Sequence, residues 1–266
     1  MKSGAMHCVS VVMPACNEED AARLLPERLY PVLTDLATRH HVELVLVDDG
    51  SRDATWDEFT RLRDAPAPCE IVLVRHAVNR GLGAALRSGC ARAAGQIIVT
   101  LDADGTYPFT IIEPLVAGII AGADVVTASP YHRDGSVQGV SPTRLMFSRG
   151  ASAVYRVLVD RRVATYTAMV RAYRASVLRT AISDNDGFLH VAMTLVEAHR
   201  RGTRIVEVPA VLTQRQVGVS KAKVFRITRA HLRYMTRLAS LRVTRRFRIA
   251  PSALNVPIGT EVASHG

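Results

Sequence analysis

Two carboxylates one residue apart, Asp102 and Asp104, follow the apolar run Ile97-Ile98-Val99-Thr100-Leu101. At that spacing they can share a hard divalent cation, Mg²⁺ or Mn²⁺, whose other positions phosphate oxygens commonly fill. Such an ion would neutralise a departing diphosphate. A solvated turn explains Asp-Ala-Asp-Gly equally well, because Asp and Gly favour turns. A second acidic pair, Asp48-Asp49, follows Leu44-Val45-Leu46-Val47 and precedes Gly50-Ser51. A carboxylate there can accept hydrogen bonds from a base or a ribose, while Ser51 and Asp53 can cap the next helix. A third polar cluster, Asn17-Glu18-Glu19, follows the apolar stretch that begins at Val9. In Asn79-Arg80-Gly81-Leu82-Gly83-Ala84-Ala85, small residues where a strand turns into a helix would let backbone approach a phosphate. Close packing of that helix accounts for the same glycines.

These clusters need a scaffold that brings them together, and the pattern between them supplies one. Strands are expected at 9–13, 42–47, 70–74, 96–101 and 124–128, with helices at 19–39, 54–62, 82–94 and 110–121. Strand and helix in alternation predict an α/β fold, a mostly parallel central sheet with helices on both faces. Ligands of such sheets bind beyond the carboxyl ends of the strands. The three acidic or polar clusters all follow strands, so they should converge at one mouth. From Pro130 to Pro142 the periodicity lapses into a loop long enough to suspect function. Beyond it, 144–159 and 188–201 read as helices, and 164–173 and 203–208 as strands.

The 266 residues suffice for one large domain, expected over 1–220, with a small appendage. Apolar residues make up 48% and charged residues 22%, so a core can form without disulfide staples. Cys8, Cys16, Cys69 and Cys90 are scattered without a C-x-x-C pair, which argues against zinc and for reduced thiols in a cytoplasmic protein. Neither a signal peptide nor a membrane span is apparent. Ten of the 34 Lys and Arg lie between Lys221 and Arg248, where there is no acid, so the net charge of +10 is largely one local segment.

In combination these motifs are far more specific than each alone. VMPACNEE (residues 12–19), LVDDGSRDAT (46–55), NRGLGAALRSG (79–89) and LDADGTYP (101–108) follow one another at intervals that resemble family 2 glycosyltransferases of the GT-A fold. SRGAS (148–152), YTAMVRAYR (166–174), EVP (207–209) and RQVGVSK (215–221) look like dolichol- or polyprenyl-phosphate mannose synthases. The resemblance implies a nucleotide site at Pro14, Glu18 and Asp48, with Ala15, Asn17 and Asp49 beside them. It implies a donor and metal segment at Asp102, Ala103 and Asp104, with Asp104 the leading ligand for Mg²⁺ or Mn²⁺. Arg215 and Lys221 match a basic pair that grips the donor diphosphate. Arg144 and Ser148 match positions that hold the acceptor phosphate, and their i, i+4 spacing suits a clamp on one helix face.

Several positions depart from the family pattern. Cys16 stands where Tyr is usual, Thr106 where a metal-binding Gln is usual, and Pro130 where a donor-binding Arg is usual. Arg133, in the same loop as Pro130, can supply that charge on the acceptor side. Thr165 and Met193 replace an Asp and a Glu. The reaction expected is inverting transfer of a sugar, mannose from GDP-mannose first, to a polyprenyl phosphate, an acceptor that needs little help from a base. The alternative is a soluble acceptor, which would require one, with a carboxylate or His190 the candidates. A silent binding protein and a nucleotidyl transferase rank behind both.

In the tail, Arg226, Arg229, Arg233 and Arg237 recur at helical spacing opposite an apolar arc of Ile227, Tyr234, Met235, Leu238 and Leu241 with Leu232 and Val224. This basic amphipathic segment, 221–248, can lie on an anionic membrane or pack on the domain or a second subunit. Aromatic interleaving of the kind that stacks bases is sparse, so nucleic acid is not an expected partner. Residues 249–266 read as a flexible tail.

Overall fold

Seven strands form the central sheet of the computed structural model, which describes residues 6–214 and 221–243. They are β1 (Cys8–Ala15), β2 (His41–Asp48), β3 (Glu70–Arg75), β4 (Ile97–Thr100), β5 (Val125–Ser129), β7 (Arg171–Arg174) and β8 (Ile205–Pro209). Their spatial order is β3-β2-β1-β4-β7-β5-β8. All pairings are parallel except those of β7, which runs antiparallel to β4 and β5. The short strands β6 (Ser136–Val137) and β9 (Val211–Leu212) form a second, parallel ribbon.

The near-continuous apolar runs follow from cover on both faces. Side chains alternate across a strand. Val9, Val11 and Met13 of β1 accordingly join one core with Leu33, Phe59 and Leu115. Val12 joins the other with Ala85, Leu195 and Tyr155. The first core is closed by α1 (Glu19–Arg23), α2 (Leu25–Arg28), α3 (Tyr30–Ala37), α4 (Thr55–Asp64) and α6 (Ile112–Ile120). The second is closed by α5 (Leu82–Arg92), α7 (Pro142–Leu158), α8 (Ala175–Ala181), α9 (Leu189–Arg200) and α10 (Lys221–Val243).

Two expectations need correction. The single helix over 19–39 is three, because Pro26 and Pro31 fall in the first turns of α2 and α3. Proline lacks an N–H and clashes with the preceding turn, so it restarts a helix instead of continuing one. The strand expected over 164–173 is a ladder only from Arg171. Before that, side chains satisfy the backbone: Glu207 accepts from the N–H groups of Ala164 and Thr165, and Ser152 Oγ from that of Tyr166.

The basic segment is helical through Val243, and residues 244–266 lie outside the described residues. His231, Met235 and Leu238 are buried, with Met235 and Leu238 in the second core, while Arg226, Arg229, Arg233 and Arg237 face solvent. Leu232, expected on the apolar arc, is 57% exposed.

Candidate active site

The strand register sets the scale of the site. Ala15 at the end of β1 pairs with Asp48 at the end of β2, and the Leu101 N–H after β4 bonds to the Val12 carbonyl. Thr100 of β4 and Thr127 of β5 both pair with Arg171, so β4 and β5 end at the same edge. Strands lie about 4.8 Å apart. Asp48, the Asp102 loop and the chain leaving β5 at Ser129 therefore follow one another along that edge at about 10 Å intervals.

The first two loops are laced together. Asn17, in the left-handed region at φ 55°, donates its N–H to Ser51 Oγ at 2.9 Å, and its Oδ1 accepts from the Arg52 N–H at 2.9 Å. Glu18 N–H bonds to Thr55 Oγ1 at 2.8 Å, and Glu19 accepts from Ala54 N–H at 3.0 Å. Pro14 and Ala15 are buried beneath this lacing.

Asp48 and Asp49 differ sharply despite adjacency. Asp48 is fully buried; Oδ1 accepts from Ser51 N–H at 2.9 Å, and Oδ2 has no hydrogen-bond partner. Arg75 Nε stands 3.4 Å from Oδ2, a Coulombic contact without hydrogen-bond alignment. The Arg75 guanidinium stacks over Trp56 at 4.8 Å. Arg75 was not among the expected site residues, although the signal was present: it ends β3 level with Asp48, as Asp48 ends β2.

Asp49 turns inward. Oδ1 lies 2.7 Å from His76 Nδ1 and accepts from Arg80 N–H at 2.9 Å, and Oδ2 accepts from Gly81 N–H at 2.8 Å. His76 Nε2 continues to Ser88 Oγ at 2.8 Å. The carboxylate expected at the nucleotide is thus engaged in holding the Asn79–Gly81 turn. The same contacts decide between the two readings of the glycines: Gly83 N–H bonds to the Asp186 carbonyl at 2.8 Å, and a Cβ at Gly83 would strike Asn185 and His190. The start of α5 is packed against the 185–190 segment.

In the metal segment, Ala103 is buried and Asp102 and Asp104 are half-buried at the strand end. Asp104 Oδ1 accepts from Thr106 N–H at 3.1 Å. The Thr106 carbonyl accepts from the N–H and hydroxyl of Thr213, at 2.8 and 3.1 Å, tying this loop to the chain just before Arg215. Arg28 lies alongside, its guanidinium nitrogen 3.8 Å from where a Gly105 Cβ would be. Among the described residues no group of three or more His, Cys, Asp or Glu side chains could hold a metal. Two oxygen-donor carboxylates fit Mg²⁺ or Mn²⁺ with water and phosphate oxygens completing the shell.

On the far side, Tyr131 OH donates to Ser148 Oγ at 2.8 Å, and Ser148 Oγ lies 2.7 Å from Thr167 Oγ1. Arg149 stacks on Tyr131 at 5.3 Å. Ser129 Oγ and Thr165 Oγ1 are 2.6 Å apart above Glu207, whose carboxyl is pushed up by burial despite two backbone donors. Arg133 is not drawn into this cluster: its side chain is 87% exposed, with Nε 3.2 Å from Asp134 Oδ2. Arg144 falls in the first turn of α7 and Lys221 begins α10, but their side chains, like the whole of Arg215, lie outside the described residues. His190 is buried, and burial pushes it down to about 4, as expected of a packed core histidine.

The model of the Glycosyl transferase family 2 matches residues 10–182. The chain belongs to glycosyl transferase family 2. It is 32% identical over 230 residues to an undecaprenyl-phosphate 4-deoxy-4-formamido-L-arabinose transferase of Pseudomonas fluorescens, covering 85% of this chain and 64% of that one. It is 32% identical over 218 residues to a polyprenol monophosphomannose synthase of Mycolicibacterium smegmatis, covering 79% of each. The chain thus spans less than two thirds of the first relative's length. The fold is that of a glucosyl-3-phosphoglycerate synthase from Mycobacterium tuberculosis solved with Mn²⁺, UDP-glucose and phosphoglyceric acid, at TM-score 0.66 and 19% identity over 90% of this chain and 81% of that one. The GT-A expectation for the architecture therefore holds. No described helix is long and apolar enough to cross a membrane.

Proposed function

We propose that this family 2 member transfers a sugar, with inversion, from a nucleoside diphosphate sugar to a polyprenyl phosphate, using Mg²⁺ or Mn²⁺. The observation that carries the reading is the order of groups along one sheet edge. Asp48 with Arg75 and Trp56 stands at β2, Asp102 and Asp104 at β4, and the Tyr131–Ser148–Thr167 hydroxyls beyond β5. That order matches base, diphosphate and acceptor in a donor laid across the strand ends. Asp48 Oδ2, buried and without a hydrogen-bond partner, is suited to a base or ribose donor group. A divalent cation bound by Asp104 and Asp102 would neutralise the departing diphosphate. The grip on the diphosphate is assigned to Arg215 and Lys221, which the family resemblance matches to that role and which follow in sequence the Thr213 bonded to the metal loop. Ser148 and Arg144 of α7 would orient the acceptor phosphate, already an anion and so in little need of a base.

A lipid-linked phosphate acceptor is supported by the two relatives, one an undecaprenyl-phosphate transferase and the other a polyprenol monophosphomannose synthase. Neutral Thr165 and Met193, where acids are usual, suit an anionic acceptor of either lipid or soluble kind. The basic helix α10 is proposed as a peripheral membrane contact, with a homodimer the competing use of that surface. A thermal-shift screen of GDP-, UDP- and dTDP-sugars with Mn²⁺ tests the site, since a ligand of the folded form raises its apparent stability. One base is expected to give a Mn²⁺-dependent shift that Asp104→Ala abolishes. No shift with any nucleotide, or an equal shift in the variant, refutes the assignment.

A further inference from the structure

The inner face of α7 carries a row of polar groups, Ser148, Ser152 and Tyr155, that recur at helical spacing. All three meet the segment that leads into β7. Ser148 Oγ lies 2.7 Å from Thr167 Oγ1, Ser152 Oγ accepts from Tyr166 N–H at 3.3 Å, and the Tyr155 ring stacks on that of Tyr166 at 5.3 Å. At the end of the row Tyr155 turns to α10: its hydroxyl is 2.9 Å from His231 Nδ1. Both residues are buried, Tyr155 completely. Burial pushes the Tyr155 hydroxyl up and His231 down to about 4, so near neutral pH the bond joins uncharged groups. Such a bond marks register. Met235 and Leu238 pack α10 on the same core, and apolar contacts tolerate sliding. Displacement of either helix would leave two buried polar groups without partners, which is costly.

The two helices run the same way from the site. Ser148 of α7 is bonded to Tyr131 in the acceptor cluster, and Asp160, just past the end of α7, is 3.7 Å from His199 near the end of α9. The start of α9 lies beside α5, whose first residues Asp49 holds at the sheet edge: a Cβ at Gly83 would strike His190. Tyr234 of α10 is within reach of the Arg200 and Glu197 charges at the other end of α9. Helix α10 therefore descends beside α7 from the mouth of the site. At 1.5 Å per residue, Ser148 stands about 10 Å above Tyr155 and Lys221 about 15 Å above His231. The start of α10 is thus about 5 Å, roughly one turn, beyond Ser148 toward the mouth.

We propose that Tyr155 and His231 are positioning residues: their hydrogen bond fixes α10 in register on α7 and so holds Lys221, assigned to the donor diphosphate, just above the acceptor hydroxyl of Ser148. The inference rests on the roles given to Lys221 and Ser148 in the proposed function and adds the contact that couples them. A nucleophile and the leaving group it displaces require a fixed separation, and a small misplacement set far from the chemistry is costly.

The test is a double-mutant cycle on the full chain, read as the Kd of GDP or UDP, whichever binds wild type, with Mn²⁺ present. Lys221→Ala is expected to weaken binding about tenfold, the loss of one charge-assisted contact. Tyr155→Phe removes only a hydroxyl two turns from Ser148, and is expected to weaken binding about fivefold. In the Lys221→Ala background it should add no more than about twofold, because the residue it positions is already gone. His231→Leu should behave as Tyr155→Phe does. His231→Asn, whose amide can meet Tyr155 from the Nδ1 position, should stay within about twofold of wild type. That pair repeats the test if Tyr155→Phe does not fold. Equal losses in both backgrounds would mean general loosening of the fold and overturn the proposal. Tyr155→Phe binding as wild type while Lys221→Ala is impaired would also overturn it, leaving the donor assignment standing. Lys221→Ala binding as wild type would overturn both. Full coupling without transfer to polyprenyl phosphate would uphold the positioning role and overturn the acceptor reading.

Discussion

Replacing Asp48 with Asn is expected to separate stability from nucleotide binding. The Ser51 N–H bond at 2.9 Å survives, because the amide oxygen can occupy the Oδ1 position. The other oxygen is buried without a hydrogen-bond partner, and leaving such a group unsatisfied costs about 1–3 kcal/mol, more when it is charged. The offset from Arg75 at 3.4 Å is modest, because that side chain is half exposed and an ion pair to it returns only about 0–1 kcal/mol. Removing the charge should therefore change folding stability by no more than about 1 kcal/mol in either direction. Binding is different. A charge-assisted hydrogen bond from a base or ribose to this carboxylate is worth about 1.5–3 kcal/mol, a loss of roughly 10- to 150-fold in Kd. Isothermal titration with Mn²⁺ and whichever of GDP or UDP binds wild type gives the second number, and urea unfolding gives the first. Affinity within twofold of wild type would remove Asp48 from the nucleotide site. Destabilisation beyond about 3 kcal/mol would show that the carboxylate is there for the fold.

Two further outcomes follow from the packing. His190 and His231 are both buried and pushed down to about 4, so the folded state binds fewer protons than the unfolded state between pH 6.5 and 4. Stability is full above 6.5 and falls as pH drops toward 4, by about 2 kcal/mol per histidine at pH 5. Urea midpoints at pH 7.5 and 5 measure the sum, and His231→Gln should remove half of the histidine contribution; a pH dependence unaltered in that variant would contradict the burial of His231. Gly50→Ala should destabilise by about 1–3 kcal/mol and weaken nucleotide binding, since φ is 67° and a Cβ would meet the Val78 and Asn79 backbone. Retention of both properties in the alanine variant would contradict the turn geometry.

The acid-lined edge was legible from local signals. Buried parallel strands need uninterrupted apolar runs, so β1, β2, β4 and β5 declared themselves, and with them the positions of Asp48, Asp102 and Asp104. Prolines 26 and 31 carried the breaks in the first helix, although periodicity alone ran through them. The antiparallel insertion of β7 was not legible, because strand direction depends on where the chain travels and not on which residues it uses. Residue type also could not distinguish Asp48 from Asp49. One has an oxygen without a hydrogen-bond partner and the other is held by His76, Arg80 and Gly81, partners supplied by a strand and a turn some thirty residues away. The link of Tyr131 to Ser148 and the pairing of Arg75 with Asp48 are likewise products of register and loop path. Composition and spacing sufficed for the chemistry on offer, since a carboxylate remains a carboxylate in any fold. Which carboxylate keeps an oxygen without a hydrogen-bond partner was settled by long-range contacts, because the fold gathers His76, Arg80 and Gly81 around Asp49 and brings only the Ser51 N–H to Asp48.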